Sequence, residues 1–532
     1  MFADLGTLAL ARAAMTDRER ACRTAAQAWL DAREISGRVR QGARLALHAG
    51  HTSPKVLRAA IREELGRGRP DELDRWLKLL ALYHPAAREH PDAEEDFELH
   101  YARLLVDLEL RPASVHPEEL TTLAGRARGP RQEGLATYLQ VVHAARRGDR
   151  AAAAELGRRK AADLVVRHPG IAADLLREVA LAHILLGEAG TAVVHARSAL
   201  ARAREAASRG LPAGVAPPLT RSEVSAMTTL SAALLYAGQV AEAVDQCAEG
   251  AARCRAAGLP RGEGALLANQ GIGELYLGRR AQAEATLARC RAVQGEHRDP
   301  VVLANLAVTQ ARLAVERGDL AAGRVLVDEG LTAARAAGDP HLVGEAWSIV
   351  LDAAVHTADP GEAQRALSSY GVDGVGSAWD HWPAALARWR WLIGDLDGAL
   401  RATDEPRRGH GELCIRAERA RLLLVGGRYD DARALARSVA DDAEAGDELE
   451  LARFARLVDC AARGAGDGEV RGLLGAARHS RWVHLYLGAL HLDAIRRRLR
   501  GENVDSLLRQ LRARARNLNH RLYEALARAE GW

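Results

Sequence analysis

The stretch LAVERGDLAAGRVLVDEGLTAARAAGDP, from Leu313 to Pro340, decides the fold because its glycine and proline recur at a fixed distance. The turn glycine Gly318 and the final proline each have two upstream counterparts, spaced 40 residues apart: Gly238 and Gly278, Pro260 and Pro300. A period of this length, broken at the same place each time, predicts one helix–turn–helix unit per repeat.

A second rule accompanies the turns. Eight turns in a row carry a small residue five positions after the turn residue, as Gly318 and Gly323 do in the quoted stretch. The turn residues are Gly148, Gly187, Gly238, Gly278, Gly318, Ala358, Gly394 and Gly427. Glycine readily adopts the left-handed backbone conformation that often ends a helix, and a small residue one turn into the next helix lets two helices approach closely. A lone hairpin cannot bury its apolar face, so neighbouring units must stack. We therefore predict an all-α fold, a right-handed superhelical solenoid of antiparallel hairpins with a period of about 33 to 40 residues.

Regularity of the repeat divides the chain into three parts. Residues 1–139 hold degenerate N-terminal helical repeats, and residues 140–440 hold the regular ones. The regular part is interrupted by a proline- and glycine-rich insertion at 208–222, after which Thr220 and Glu223 resemble a capping box that restarts the helix. Residues 441–532 hold degenerate C-terminal repeats and basic capping helices.

Composition excludes several classes of protein. The 532 residues carry a formal net charge of +4, close to neutral for this length, which does not by itself indicate nucleic acid or membrane as partner. Six cysteines lack CxxC or histidine-interleaved spacing, so we expect no disulfide framework, no metal site and no cofactor. The N-terminus does not read as a signal peptide and no uncharged apolar stretch is long enough to span a membrane. We expect a cytoplasmic protein in a reducing compartment.

The turn glycine, the alanine five residues later, the small residue seven before the turn and the proline between units resemble the tetratricopeptide repeat. The 40-residue period and the phrase RGDLAAGRVLVDEGLTAARAAGDP look closest to the repeat arm of large ATP-binding LuxR-type bacterial regulators of the maltose-activator type. The chain has no GxxxxGK[ST] loop and no recognisable C-terminal helix-turn-helix, so the resemblance does not extend to ATP switching or direct promoter binding.

The tetratricopeptide resemblance implies that the first helix of each unit lines a concave groove. When the repeats are aligned on their turn residue, this resemblance predicts a charged and aromatic set of partner-binding residues: Asn305, Arg312, Glu345, Asp352, His381, Arg388, Trp391 and Arg421. Mixed charges on a concave surface suit an extended peptide or a partner helix. Ordinary solvated helix residues are the alternative. The tryptophan-rich segment WDHWPAALARWRW, from Trp379 to Trp391, fits either core packing or a ligand site.

Catalytic signatures are absent from the sequence, so we expect a non-enzymatic scaffold that binds a protein or peptide. The alternative is the ligand-sensing arm of a bacterial signalling or transcriptional regulator whose effector domain lies elsewhere. The arginine-rich segment Arg496–Arg521 fits a solvated cap, with contact to nucleic acid as its alternative. The sequence leaves open whether the protein forms a homo-oligomer.

Overall fold

In the computed structural model, the described residues are 54–67, 70–83, 93–111, 114–209, 217–295, 299–372, 381–404, 409–479 and 482–529. They form α-helices and, within these ranges, no strand. Trp379 and Cys22 lie outside the described residues, as do residues 210–216 of the inserted loop. The all-α helical-repeat prediction is confirmed.

The helices follow one another with short connections. Their bounds are α1 Pro54–Arg67, α2 Pro70–Tyr83, α3 Ala93–Leu110, α4 Pro117–Gly125, α5 Pro130–Arg146, α6 Arg150–Leu164, α7 Pro169–Leu185, α8 Ala189–Ser208, α9 Arg221–Tyr236, α10 Val240–Ala256, α11 Pro260–Tyr276, α12 Arg280–Gln294, α13 Pro300–Arg317, α14 Leu320–Ala337, α15 Pro340–Thr357, α16 Pro360–Val372, α17 Trp382–Leu392, α18 Leu396–Ala402, α19 Gly409–Val425, α20 Tyr429–Ala445, α21 Leu449–Ala462, α22 Asp467–His479, α23 Val483–Leu499, α24 Asp505–Asn517 and α25 Arg521–Ala529.

The chain divides into two compact units. Unit 1 comprises the described residues up to Leu186 together with Arg197–Ala226, and unit 2 comprises Gly187–Ala196 and Met227 to the C-terminus. The core of unit 1 is built from leucine, valine and alanine, with the large rings of Trp76 and Phe97 buried among them. The division of the sequence by repeat regularity stays a prediction.

The quoted stretch shows how the hairpins form. Gly318 ends α13 in the left-handed conformation, with φ of 86°, where a side chain would be strained. The next residue, Asp319, caps α14 by accepting a hydrogen bond from the Ala322 N–H at 3.2 Å. Asp339 does the same for α15, whose first residue is Pro340. Sequence signals and observed caps therefore coincide.

Small residues stand where two helices touch. A Cβ atom added to Gly323 would lie 2.7 Å from Val315 Cγ2, and one added to Gly330 would lie 2.8 Å from Val308 Cγ2. Carbon atoms do not approach so closely, so α13 and α14 can pack only if these positions carry no side chain. These contacts explain why glycine stands at positions 323 and 330.

The restart of the helix after the insertion also follows the sequence. Helix α9 begins at Arg221, and the Glu223 N–H donates to Thr220 Oγ1 at 3.2 Å. That bond is one half of the predicted capping box.

The C-terminal helices of unit 2 fold back onto its middle. One continuous core runs from Ala304 on α13 to Ala527 on α25 and includes Trp347, Trp382 and Tyr523. Helix α25 contacts both α15 and α17, and α23 contacts α13. None of the described helices combines the length and apolar character that crossing a membrane requires.

Candidate functional site

Unit 2 encloses a cavity of about 930 Å³, a volume that includes space open to solvent. Side chains of the first helices of successive hairpins line it: α11, α13, α15, α17, α19 and α21. Trp482, His484 and His520 complete the wall from the C-terminal part. The first helices of the hairpins, predicted to line a concave groove, thus line this cavity; partner binding by them stays a prediction.

The cavity exists because hairpins far apart in sequence meet. Arg280, at the start of α12, pairs with Glu316 on α13 at 3.0 Å and also pairs with Glu450 on α21. The guanidinium of Arg280 lies 5.2 Å from the centre of the Trp482 ring, at cation–π distance. These contacts join the two ends of the row of lining helices.

Charged side chains along the wall pair between neighbouring hairpins. Arg312 Nε donates to Glu345 Oε1 at 2.8 Å, and Arg388 Nη2 donates to Asp352 Oδ1 at 2.6 Å. An unpaired charge would be costly at this burial, so each arginine requires its carboxylate. The repeat makes such pairs possible because it brings equivalent positions of adjacent hairpins together.

Arg421 forms the most buried of these pairs. Its side chain is fully buried and bonds to Glu418 one turn earlier and to the Tyr523 hydroxyl from α25. Burial alone would raise the pKa of Glu418, but Arg421, His484 and Arg388 hold that pKa well below its usual range. Trp391 covers the pair, with its ring centre 4.5 Å from the Arg421 guanidinium.

Three histidines form a stacked group at the cavity wall. The rings of His356 and His520 stack with centres 4.0 Å apart, and His484 lies 5.9 Å from His520. Burial lowers the pKa of His356 to about 4 and, together with Arg421, that of His484 to about 3. Burial and the neighbouring His356 also lower the pKa of His520 well below its ordinary value. All three rings are therefore neutral at physiological pH and can both donate and accept.

A second cluster joins two histidines to a cysteine. Cys414 Sγ lies 3.3 Å from His410 Nε2, and His381 also hydrogen-bonds to this thiol. Burial alone would raise the pKa of the thiol, but His410 and His381 lower it to about 6. Burial opposes charge on His410 as well, yet Cys414 and Glu448 raise its pKa well above 6.5. The pair therefore favours a thiolate beside a charged imidazole.

Four of the eight predicted partner-binding residues meet at the cavity. Arg312, Asp352, His381 and Arg388 line the cavity. The other four do not line it. Glu345 is buried and bonds to Arg312 and His381, and Trp391 and Arg421 are also buried. The Asn305 side chain donates to the Val301 carbonyl one turn earlier on α13. Partner binding by this set stays a prediction.

The tryptophan-rich segment packs rather than facing the cavity. Trp382, Trp389 and Trp391 are all buried, and Trp382 stacks on Tyr370 with ring centres 3.9 Å apart. Of the two interpretations left open by the sequence, core packing describes the three tryptophans that the structure covers.

Five of the nine arginines of the basic C-terminal segment pair with nearby carboxylates. Arginines of this segment pair with carboxylates in the following sets: Arg496 and Arg497 with Asp493, Arg500 with Glu502, Arg516 and Arg521 with Glu524. Neither a solvated cap nor contact with nucleic acid is decided by these pairs, and both stay predictions.

Sequence reasoning missed His410, Cys414, His484 and His520. A signal existed for the first two, since positions one helical turn apart lie on the same helix face. The prediction of no metal site rests on the lack of CxxC and histidine-interleaved metal spacing, and it does not consider a single histidine one helical turn before a single cysteine, as in His410 and Cys414. His484 and His520 lie in the degenerate part, where the repeat frame assigned no groove positions.

Comparisons with known proteins give structural likeness only. No family profile and no curated protein sequence matches the chain. Among solved structures, a Rap protein complexed with competence and sporulation factor is 13% identical to this chain. That match covers 74% of this chain and 99% of the Rap chain, with a TM-score of 0.46. Aspartyl phosphate phosphatase F from Bacillus subtilis shares 12% identity, with 74% and 94% coverage and a TM-score of 0.37. The APC/C hetero-tetramer Cut9-Hcn1 shares 10%, with 97% and 98% coverage and a TM-score of 0.28. These values identify neither a family nor a function, and none of them supports the resemblance to LuxR-type regulators.

Proposed function

We propose that this protein is a non-catalytic binding scaffold and that the unit 2 cavity receives a short polar segment of a peptide or protein. The observation that carries the proposal is a set of buried polar atoms at the cavity wall without protein partners. Among the described residues, these include Nδ1 of His356 and both ring nitrogens of His520. A buried polar atom left without a hydrogen bond costs about 1–3 kcal/mol, so a ligand that bonds to these rings gains free energy that the empty protein forgoes.

The chemistry of the wall favours a peptide over a polyanion. The lining arginines Arg280, Arg312 and Arg388 each already pair with a carboxylate, so the wall offers no excess of positive charge. Neutral imidazoles next to such pairs can serve both the N–H and the C=O groups of a peptide. The volume of about 930 Å³ includes space open to solvent and is therefore an upper bound, which admits at most a few residues rather than a long extended strand.

The test is selection from a displayed library of random peptides on the full-length protein, followed by affinity measurement with the enriched peptides. His520→Leu removes the unpartnered imidazole from the wall. We expect it to weaken binding about ten-fold or more, because a buried ligand group would lose its partner. His520→Gln, which keeps a donor and an acceptor, should lose less.

A matched control comes from unit 1. His143 is also buried and also has an unpartnered ring nitrogen, Nε2, but does not line the cavity. His143→Leu should leave peptide affinity unchanged. If no peptide is enriched, or if His520→Leu and wild type bind the enriched peptides equally, the cavity is not the binding site and the proposal fails.

A further inference from the structure

We propose that His381, His410 and Cys414 bind one divalent transition-metal ion of the zinc class, with an open coordination position facing the unit 2 cavity. All three residues line that cavity. The proposal rests on the placement of donor atoms and does not depend on the proposed peptide binding.

The donor atoms are close enough to share one ion. One ligand atom from each residue lies within 4.8 Å of the other two. Cys414 Sγ and His410 Nε2, at 3.3 Å, already stand at the separation of about 3.3 to 3.6 Å that two donors have on a tetrahedral zinc.

The backbone holds two of these donors rigidly and the third at a helix end. His410 and Cys414 lie one turn apart on α19, so their side chains project to the same face. His381 is the N-cap residue of α17, and its own N–H donates to Glu345 Oε2 at 3.2 Å. The same carboxylate therefore fixes both the backbone and the ring of His381.

Each histidine also has the carboxylate partner that is typical of metal-binding imidazoles. His410 Nδ1 lies 2.6 Å from Glu448 Oε2, and His381 Nδ1 lies 2.9 Å from Glu345 Oε2. With Nδ1 engaged in this way, Nε2 of each ring is the nitrogen that faces the cluster, and a metal ion that binds there displaces any proton it carries. Tyr276 stacks on the His410 ring at 3.9 Å between centres and holds its plane.

The donor types select the metal. Thiolate and imidazole suit zinc and related transition metals, whereas calcium and magnesium prefer oxygen ligands. Three protein ligands leave a fourth position for water or for a donor atom of a bound molecule. Because the three residues line the cavity, this fourth position would be open to a molecule bound there.

The experiment uses the full-length protein, treated with a chelator and then dialysed with a phosphine reductant. Zinc binding is measured by titration calorimetry, and Co²⁺ is added as a spectroscopic probe. We expect one ion per chain and a sulfur-to-cobalt charge-transfer band. Cys414→Ser should abolish the band, and Glu448→Gln should weaken zinc binding by about 10- to 100-fold by removing the outer-shell carboxylate.

Cys460→Ser is the matched control, because Cys460 is also a cysteine of unit 2 but is no part of the cluster. It should bind zinc and cobalt like wild type. Far-UV circular dichroism at each variant's working concentration establishes that it is folded. Absence of zinc binding by folded wild-type protein, or a cobalt band that survives Cys414→Ser, would overturn the proposal. In the first case the cluster is a metal-free thiolate–imidazolium pair.

Discussion

Replacing His356 with phenylalanine should make the protein more resistant to acid. His356 is buried on α15 with its ring stacked on His520, and burial lowers its pKa to about 4 from an ordinary value of 6.5. Phenylalanine keeps a ring of similar size in the stack but cannot take up a proton. The substitution therefore removes one proton-linked penalty and leaves the packing nearly intact.

The direction of the effect follows from proton counting. Between about pH 6.5 and pH 4 the unfolded chain carries a proton on His356 and the folded protein does not. The unfolded state thus binds more protons, so the stability that the neutral ring contributes is complete above about pH 6.5 and is lost as the pH falls toward 4. Since a tenfold change in a protonation equilibrium is worth about 1.4 kcal/mol, the loss at pH 4 amounts to roughly 3 kcal/mol.

The assay is urea unfolding followed by tryptophan fluorescence at a series of pH values between about 7.5 and 4. This signal reports mainly on unit 2, where Trp347, Trp382, Trp389 and Trp391 lie. The free energy of unfolding of His356→Phe minus that of wild type should grow by roughly 3 kcal/mol across the series. Acid-sensitive groups that His356 does not influence are common to both proteins and cancel in the difference. The pKa of His520 is lowered in part by His356, so the substitution relieves that effect and adds to the difference in the same direction.

His479→Phe makes the same chemical change at an exposed position of α22 and controls for the substitution itself. A difference between His356→Phe and wild type that stays constant from about pH 7.5 to 4 would refute the claim that His356 is neutral in the folded protein.

Other substitutions test the packing and the buried charges by the same urea assay. Gly330→Ala should destabilise the protein by about 1–3 kcal/mol, because the new methyl group would lie 2.8 Å from Val308. Gly475→Ala is the control: its methyl group would have no atom within 4 Å, so it should raise stability by up to about 1 kcal/mol. Equal effects of the two substitutions would contradict the packing rule. Arg421→Met should lower the free energy of unfolding by about 3–5 kcal/mol, because it leaves the buried Glu418 without its main partner. Adding Glu418→Leu should recover most of that free energy. A double variant as unstable as the single one would argue against a paired charge. Ala358→Gly should stabilise by about 1 kcal/mol, since Ala358 has a left-handed φ of 55°, and destabilisation would mean that this turn differs in solution.

The sequence predicted the hairpins because the signals that form them are local. Gly318 ends its helix by adopting a left-handed backbone conformation, and Asp319 caps the helix that directly follows it. Gly323 packs against the helix just before it. Each of these features involves residues of one repeat, so a regular frame was enough to locate them.

The site could be predicted only in part, because it depends on contacts between distant repeats. The repeat frame placed Arg312 and Arg388 on the concave side, where both line the cavity. It could not show that Arg280 meets Glu450, which turns an open groove into a cavity. It also could not show that the C-terminal helices bring His520 onto His356. Trp391 fell on the predicted face but packs behind the wall, against Arg421, because a side chain's depth is set by its tertiary neighbours.

The central claim is that the cavity of unit 2 is the binding site, and a crystal structure of the full-length protein with a library-selected peptide tests it most directly. Part of the peptide should occupy the cavity and hydrogen-bond to the ring nitrogens of His356 or His520. A selected peptide bound entirely on the outer helices, with the cavity wall unchanged, would contradict the account.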